Sequence, residues 1–161
     1  MVALDPLRIC PLFSGLDEAT LNEIALLAQE EVFHVNQPIY HANDEADRLY
    51  VLEAGEVNEY IAAGDPPGIL VTTSADEGEV FGCSSLLAPR RHATSALCRR
   101  RTQALSLDAE ALQGILDRDH STGYTVARNL AEILDGHLRD ARDQIQNMLS
   151  ASSLGPGQPE P

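Results

Sequence analysis

The side chains that could do covalent or metal chemistry are few and widely separated. Cys10, Cys83 and Cys98 are odd in number and form no CxxC pair, so we expect no disulfide framework and a reducing, cytoplasmic compartment. The five histidines form no pair at metal-ligand spacing: His34, His41, His92, His120 and His137. No nucleophile stands at a motif spacing from a base. We therefore expect neither a metal site nor an enzyme.

A different kind of chemistry is indicated by residues 78–94, with the sequence GEVFGCSSLLAPRRHAT. Two further motifs precede this segment, PLFSGL at 11–16 and LYVLEAGEV at 49–57. The three motifs, in this order, resemble the cyclic nucleotide-binding domain superfamily of the catabolite activator protein and the kinase regulatory subunits. The resemblance covers about residues 9–148.

The resemblance implies that residues 82–94 form a phosphate-binding cassette. In the family, a short helix after the glycine presents free backbone N–H groups to the cyclic phosphate, and an arginine neutralises that phosphate. Arg91 matches this arginine, with Arg90 as the alternative if the loop shifts by one residue. The implied ligand-binding residues are Gly82, Cys83, Ser84, Ser85, Arg91, His92 and Ala93. The implied ligand is cAMP or cGMP, with no other cofactor.

The cassette departs from the family pattern at its acidic position. Cys83 stands where the family has a glutamate that accepts a hydrogen bond from the ribose, and a thiol is a poor acceptor. Glu79 is not an obvious replacement, and Ala141 and Arg142 stand where some members contact the base with hydroxyls. We therefore expect a degenerate cassette. Retained nucleotide binding, another anionic ligand and a ligand-free pocket remain open.

Cys83 itself is either a small buried filler or a redox-sensitive thiol whose pKa is lowered by the helix N-terminus and the arginines.

The elements that position the cassette are mostly strands. Short runs of β-type residues alternate with Asn, Asp, Gly and Pro at 31–35, 38–41, 48–52, 56–62, 69–73, 79–81, 93–98 and 102–107. This spacing predicts a small antiparallel sandwich or barrel. With the resemblance, we expect an α+β, mainly β fold: an eight-stranded antiparallel jelly-roll-like barrel at about 31–108, an N-terminal helix, a short helix and a long C-terminal helix.

Helical periodicity appears on both sides of these strands. Asp17 is the predicted N-cap of a helix at 17–29, and Asp108 that of a helix at 109–116. A longer helix is predicted at 122–149 from apolar residues spaced by three and four: Val126, Leu130, Ile133, Leu134, Leu138, Ala141, Ile145 and Met148. The stripe is typical of a coiled coil, so we expect a parallel homodimer along it. Packing on the protein's own barrel is the alternative.

Charge restricts the classes of partner. The formal net charge of −14 disfavours direct binding to nucleic acid or to anionic membranes, and all eleven Lys and Arg positions are arginines.

We expect one domain at 1–149, a disordered tail at 150–161 and no helix-turn-helix domain. The predicted function is a stand-alone, dimeric regulatory module that signals by binding a ligand or an unknown partner protein. A genuine cAMP or cGMP sensor and a purely structural docking protein are the alternatives.

Overall fold

A computed structural model describes residues 4–153 of the 161-residue chain. The helices are α1 (Asp5–Ile9), α2 (Glu18–Leu27), α3 (Ala109–Arg118) and α4 (His120–Ser153), with 3-10 turns at Pro11–Phe13 and Cys83–Leu86. The strands are β1 (Ala28–Phe33), β2 (Pro38–Tyr40), β3 (Arg48–Ala54), β4 (Val57–Ile61), β5 (Ile69–Ser74), β6 (Val80–Phe81), β7 (Ser95–Cys98) and β8 (Thr102–Asp108).

The strands form two antiparallel four-stranded sheets, in the orders β1-β8-β3-β6 and β2-β7-β4-β5. A core cluster of side chains from both sheets lies between them: Phe33, Tyr40, Leu52, Val57, Phe81, Ala96, Cys98 and Ala104. The mainly β fold with flanking helices is thus confirmed, and its two sheets are consistent with a jelly roll. Among the described residues the strand pairing stays within each sheet, so the architecture is that of two sheets.

A second core lies between the first sheet and the helices. It contains Leu12, Ile24, Leu49, Leu105, Leu112, Val126 and Leu130, all buried. Both predicted caps are present: the Asp17 carboxylate accepts a hydrogen bond from the Thr20 N–H, and that of Asp108 accepts one from Ala111, each at 2.8 Å. Each bond satisfies a backbone donor that the helix itself leaves unpaired.

Some predicted boundaries shift. The first long helix ends at Leu27 because Ala28 already pairs with Leu107 as the start of β1. The C-terminal helix begins at His120, after the Asp119 carboxylate accepts bonds from Ser121 N–H and the Thr122 hydroxyl. It continues through 150–153, the first residues of the predicted tail. The rest of that tail, 154–161, and residues 1–3 of the predicted domain lie outside the described residues.

None of the helices described combines the length and apolar character needed to cross a bilayer.

Candidate ligand-binding site

A cavity of about 420 Å³ lies between α4, the second sheet and the cassette segment. The cassette contributes Gly82, Cys83, Ser84, Leu87, His92, Ala93 and Thr94 to its walls. The sheet contributes Tyr40, Glu59, Ile61, Ile69, Val71 and Thr72. The helix contributes Leu134, His137, Leu138, Ala141, Gln144, Ile145 and Met148. The structure therefore brings five of the seven predicted site residues to one cavity.

Gly82 sets the direction of the cassette. Its φ of +77° is left-handed, and an added Cβ would lie 3.0 Å from the Arg48 carbonyl oxygen and 3.1 Å from the Tyr50 ring. Glycine alone meets both conditions without strain. The 3-10 turn that follows is fastened by Ser85, whose buried hydroxyl donates to the Gly82 carbonyl at 2.8 Å. Ser85 is thus a structural residue of the cassette, whereas Ser84 lines the cavity.

Cys83 is buried in the cavity wall. Burial and, as a smaller cause, the negative charge of Glu59 raise the pKa of its thiol to about 12. The direction is opposite to the one that a redox-sensitive thiolate requires. Cys10, whose pKa burial raises to about 11, and Cys98 are also buried free thiols. The geometry therefore favours the filler interpretation of Cys83.

The arginine expected to neutralise a phosphate points elsewhere. Arg91 is exposed, and its Nη1 donates to the Asn43 carbonyl oxygen at 2.9 Å. Arg90 is also exposed, with a φ of +57°. Neither side chain is among the described residues that line the cavity. The predicted cassette segment lines the cavity, but in this structure it brings no guanidinium to the cavity wall.

His92 lies in the cavity wall. Its imidazole stacks on the ring of Tyr40, with centroids 3.6 Å apart and planes at 4°. Backbone bonds hold the loop here, because His92 N–H donates to the Asp44 carbonyl at 3.0 Å and His92 O accepts from Asn43 at 2.7 Å. Burial lowers the pKa of His92, although Glu59, Asp44 and Asp47 act in the opposite direction.

Glu59 is the functional candidate that the sequence analysis missed. It lies on β4, and only 8% of its surface is exposed. Its Oε1 accepts hydrogen bonds from the Tyr40 hydroxyl at 2.7 Å and the Thr94 hydroxyl at 2.9 Å. The alternation of side chains along the strand could have indicated this residue, because Glu59 lies on the same face of β4 as Val57 and Ile61. A charged residue at an inward position of a strand marks a polar site within the core.

The long helix closes the cavity with the predicted apolar stripe. Leu134, Leu138, Ala141, Ile145 and Met148 all face it, whereas Arg142 is exposed. One polar contact joins this part of the helix to the sheet, from the Thr72 hydroxyl to the Asp140 carboxylate at 3.2 Å. Part of the stripe thus packs against other residues of the same chain. Such packing is the alternative to a coiled coil that the sequence analysis gave.

Among the described residues, His, Cys, Asp and Glu form no group that could hold a metal ion.

Comparison with known proteins shows the family of the fold. The family model of the cyclic nucleotide-binding domain matches residues 30–119. A crystal structure from Geobacter metallireducens, described as that of a cyclic nucleotide-binding protein, is similar at 25% identity, with a TM-score of 0.75, 86% of this chain covered and 99% of the other. The catabolite activator protein of Thermus thermophilus is similar at 28% identity and a TM-score of 0.66, with 87% and 63% covered.

A third similar structure contains a nucleotide. It is the regulatory domain of Toxoplasma gondii PKA with cAMP, at 25% identity and a TM-score of 0.64, with 70% of this chain and 42% of the other covered. A search of curated protein sequences finds no match to this chain.

Proposed function

Since this chain belongs to the cyclic nucleotide-binding domain family, we propose that it is a regulatory module whose cavity binds a small ligand and reports the occupancy through α4. The observation that carries the proposal is that α4 and the cassette both line one cavity of about 420 Å³. A ligand between them contacts both, so its binding energy depends on where the helix lies. A ligand that binds one helix position more tightly shifts the population toward it.

The two halves of α4 are held differently. The first half is anchored, because Val126 and Leu130 are buried in the core and Asn129 donates to the carbonyl oxygens of Leu12 and Ser14 at 3.0 and 2.9 Å. The second half lies over the cavity, where Leu138 and Ile145 keep about half of their surface exposed. The second half is therefore the part that a ligand would reposition.

The cassette in this proposal is degenerate with respect to phosphate. Cys83 replaces the acidic residue of the family pattern, and Arg91 donates to Asn43 outside the cavity. The alternative, a genuine cAMP or cGMP sensor, is supported by the Gly82 turn and by the similar regulatory domain with cAMP. In that alternative, the Arg91 side chain would turn into the cavity on binding.

Dimerisation through α4 belongs to the same proposal. Leu138, Ile145, Met148 and Leu149 leave an exposed apolar stripe along the second half of the helix. A second copy of the helix would cover this stripe in a coiled coil. The acidic net charge supports action on a ligand or a partner protein rather than on nucleic acid or a membrane. The three free cysteines support a reducing, cytoplasmic location. No enzymatic step is part of the proposal.

The experiment is a titration with N-phenyl-1-naphthylamine, a neutral apolar dye that fluoresces when it leaves water. We expect saturable binding to the wild type and its loss in Ala141→Phe, which fills the cavity from α4. Ala131→Phe, on the exposed face of the same helix, is the matched control and should bind normally. Dye binding that survives Ala141→Phe contradicts the proposed site.

The nucleotide alternative is tested in the same assay. We expect cAMP and cGMP to displace the dye only weakly, with no change in Arg91→Ala. Displacement at micromolar nucleotide, abolished by Arg91→Ala, would establish the sensor instead.

A further inference from the structure

On the basis of the proposed function, we infer that the cavity selects a ligand with an apolar body and a positively charged nitrogen, and that Glu59 is the residue that receives this nitrogen. The inference concerns the chemical class of the ligand. It departs from the anionic ligand that the cassette pattern implies, because the charged side chain found in the cavity wall is a carboxylate.

The carboxylate of Glu59 has hydrogen-bond donors but no cation. Both hydrogen bonds described for it, from Tyr40 and Thr94, end on Oε1. None of the salt bridges described between residues 4 and 153 includes Glu59. A buried ionised carboxylate without a cation is costly, since burial removes its hydration. A ligand ammonium at Oε2 would offset this cost with a charge-assisted hydrogen bond.

Among the described residues that line the cavity, there is no arginine to neutralise a phosphate. Arg90 and Arg91 lie outside the cavity, and burial lowers the pKa of His92, which disfavours the cationic form of its imidazole. His137, on the α4 side, is the other titratable nitrogen in the wall. A phosphate would therefore enter a cavity that holds a negative charge, and like charges at short range in a buried site repel strongly.

The remaining walls define the body of the ligand. Ile61 and Val71 on the sheet and Leu134, Leu138 and Ile145 on the helix line the same cavity as Glu59 with apolar side chains. The volume of about 420 Å³ lies within the range of about 300–1,000 Å³ that is usual for small-molecule sites. An apolar chain or ring of moderate size can fill these walls while its charged nitrogen contacts the carboxylate.

The test is a competition series with three probes that share one tail: octylammonium, 1-octanol and octanoate. Each displaces N-phenyl-1-naphthylamine, with the two ionic probes kept below their micelle concentrations and 1-octanol below its solubility limit. We expect octylammonium to displace the dye at a concentration about tenfold or more lower than octanoate, with 1-octanol between them, as one charge-assisted bond implies. Octanoate equal to or better than octylammonium would overturn the inference.

The variant Glu59→Gln keeps an acceptor for Tyr40 and Thr94 but removes the charge. We expect it to lose the preference for octylammonium, measured as the ratio of the octylammonium and octanoate concentrations that displace half of the dye bound to the same variant. Glu110→Gln, an exposed acid on α3, removes the same charge elsewhere and should keep the preference. A preference that persists in Glu59→Gln contradicts the role of this residue.

The outcomes also separate this inference from the proposed function. If the three probes displace the dye equally, the charge selectivity is wrong while the cavity remains a ligand site. If the dye and all three probes fail to bind the wild type, the proposed function fails and the inference fails with it.

Discussion

The imidazole of His92 lies flat on the phenol ring of Tyr40, with centroids 3.6 Å apart. Through this stack the cassette loop is joined to β2, and the Tyr40 hydroxyl continues the connection to Glu59 on β4 at 2.7 Å. Position 92 of the cassette therefore holds a ring that is part of the cavity wall. Packing of the His92 ring on Tyr40 thus shapes the cassette. The charged side chain connected to this stack, Glu59, belongs to β4 and not to the cassette.

The buried position of His92 predicts a pH dependence of stability. Its pKa is lowered in the folded state, so the unfolded chain binds a proton first as the pH falls. The free energy of unfolding should therefore decrease as the pH drops below about 6.5, the ordinary value for histidine, until the folded-state pKa is passed. Urea denaturation between pH 7.5 and 5.5 measures this slope. His92→Phe should flatten it, whereas His34→Phe, at an exposed histidine, should not.

The conformation of Gly82 predicts a localised cost for an added methyl group. Gly82→Ala should reduce the free energy of unfolding by about 1–2 kcal/mol, because a Cβ is disfavoured at a φ of +77° and meets the Arg48 carbonyl at 3.0 Å. Gly136→Ala is the control in α4, where nothing lies within 4 Å of the added atom, and should stabilise by up to about 1 kcal/mol. Equal effects of the two changes in thermal denaturation would contradict the assigned backbone.

Because Cys83 is buried, we expect its thiol to be unreactive in the folded protein. With a pKa of about 12, almost none of it is thiolate at pH 7.5, and the other two cysteines are buried as well. A disulfide reagent should modify none of the three in the folded protein and all three in urea, as counted by mass spectrometry. Ala131→Cys supplies an exposed reference thiol that should react at once. Rapid modification of Cys83 in the folded protein would restore the redox interpretation.

The exposed stripe on α4 predicts the oligomeric state. Light scattering should give twice the mass of one chain for the wild type and a single-chain mass for Leu149→Glu, which places a charge in the stripe but does not line the cavity. Gln146→Glu, at an exposed polar position, should remain dimeric. A monomeric wild type would contradict the coiled-coil proposal.

The sequence predicts the fold well because the fold depends on local, periodic signals. Eight strands and the caps at Asp17 and Asp108 lie within a few residues of their predicted places. The short α1 was missed because five residues carry too little periodicity to indicate a helix.

The site was less predictable because it depends on side-chain direction and on contacts between distant residues. Arg91 matches the pattern but is exposed and bonded to Asn43, a neighbour 48 positions away. Glu59 matches no pattern, and its importance follows from its contacts with Tyr40 and Thr94, 19 and 35 positions away. A motif thus locates the loop, whereas packing decides which side chains reach the cavity.

The central claim is that occupancy of the cavity is coupled to α4. The most direct measurement is amide hydrogen exchange along 120–153, with and without saturating octylammonium, in the wild type and in Ala141→Phe. We predict that exchange slows in the cavity-facing stretch 134–148 of the wild type, stays unchanged in the anchored stretch around Asn129, and does not respond to the probe in Ala141→Phe. Saturable binding that leaves exchange along 134–148 unchanged would contradict the account, because the cavity would then bind without moving the helix.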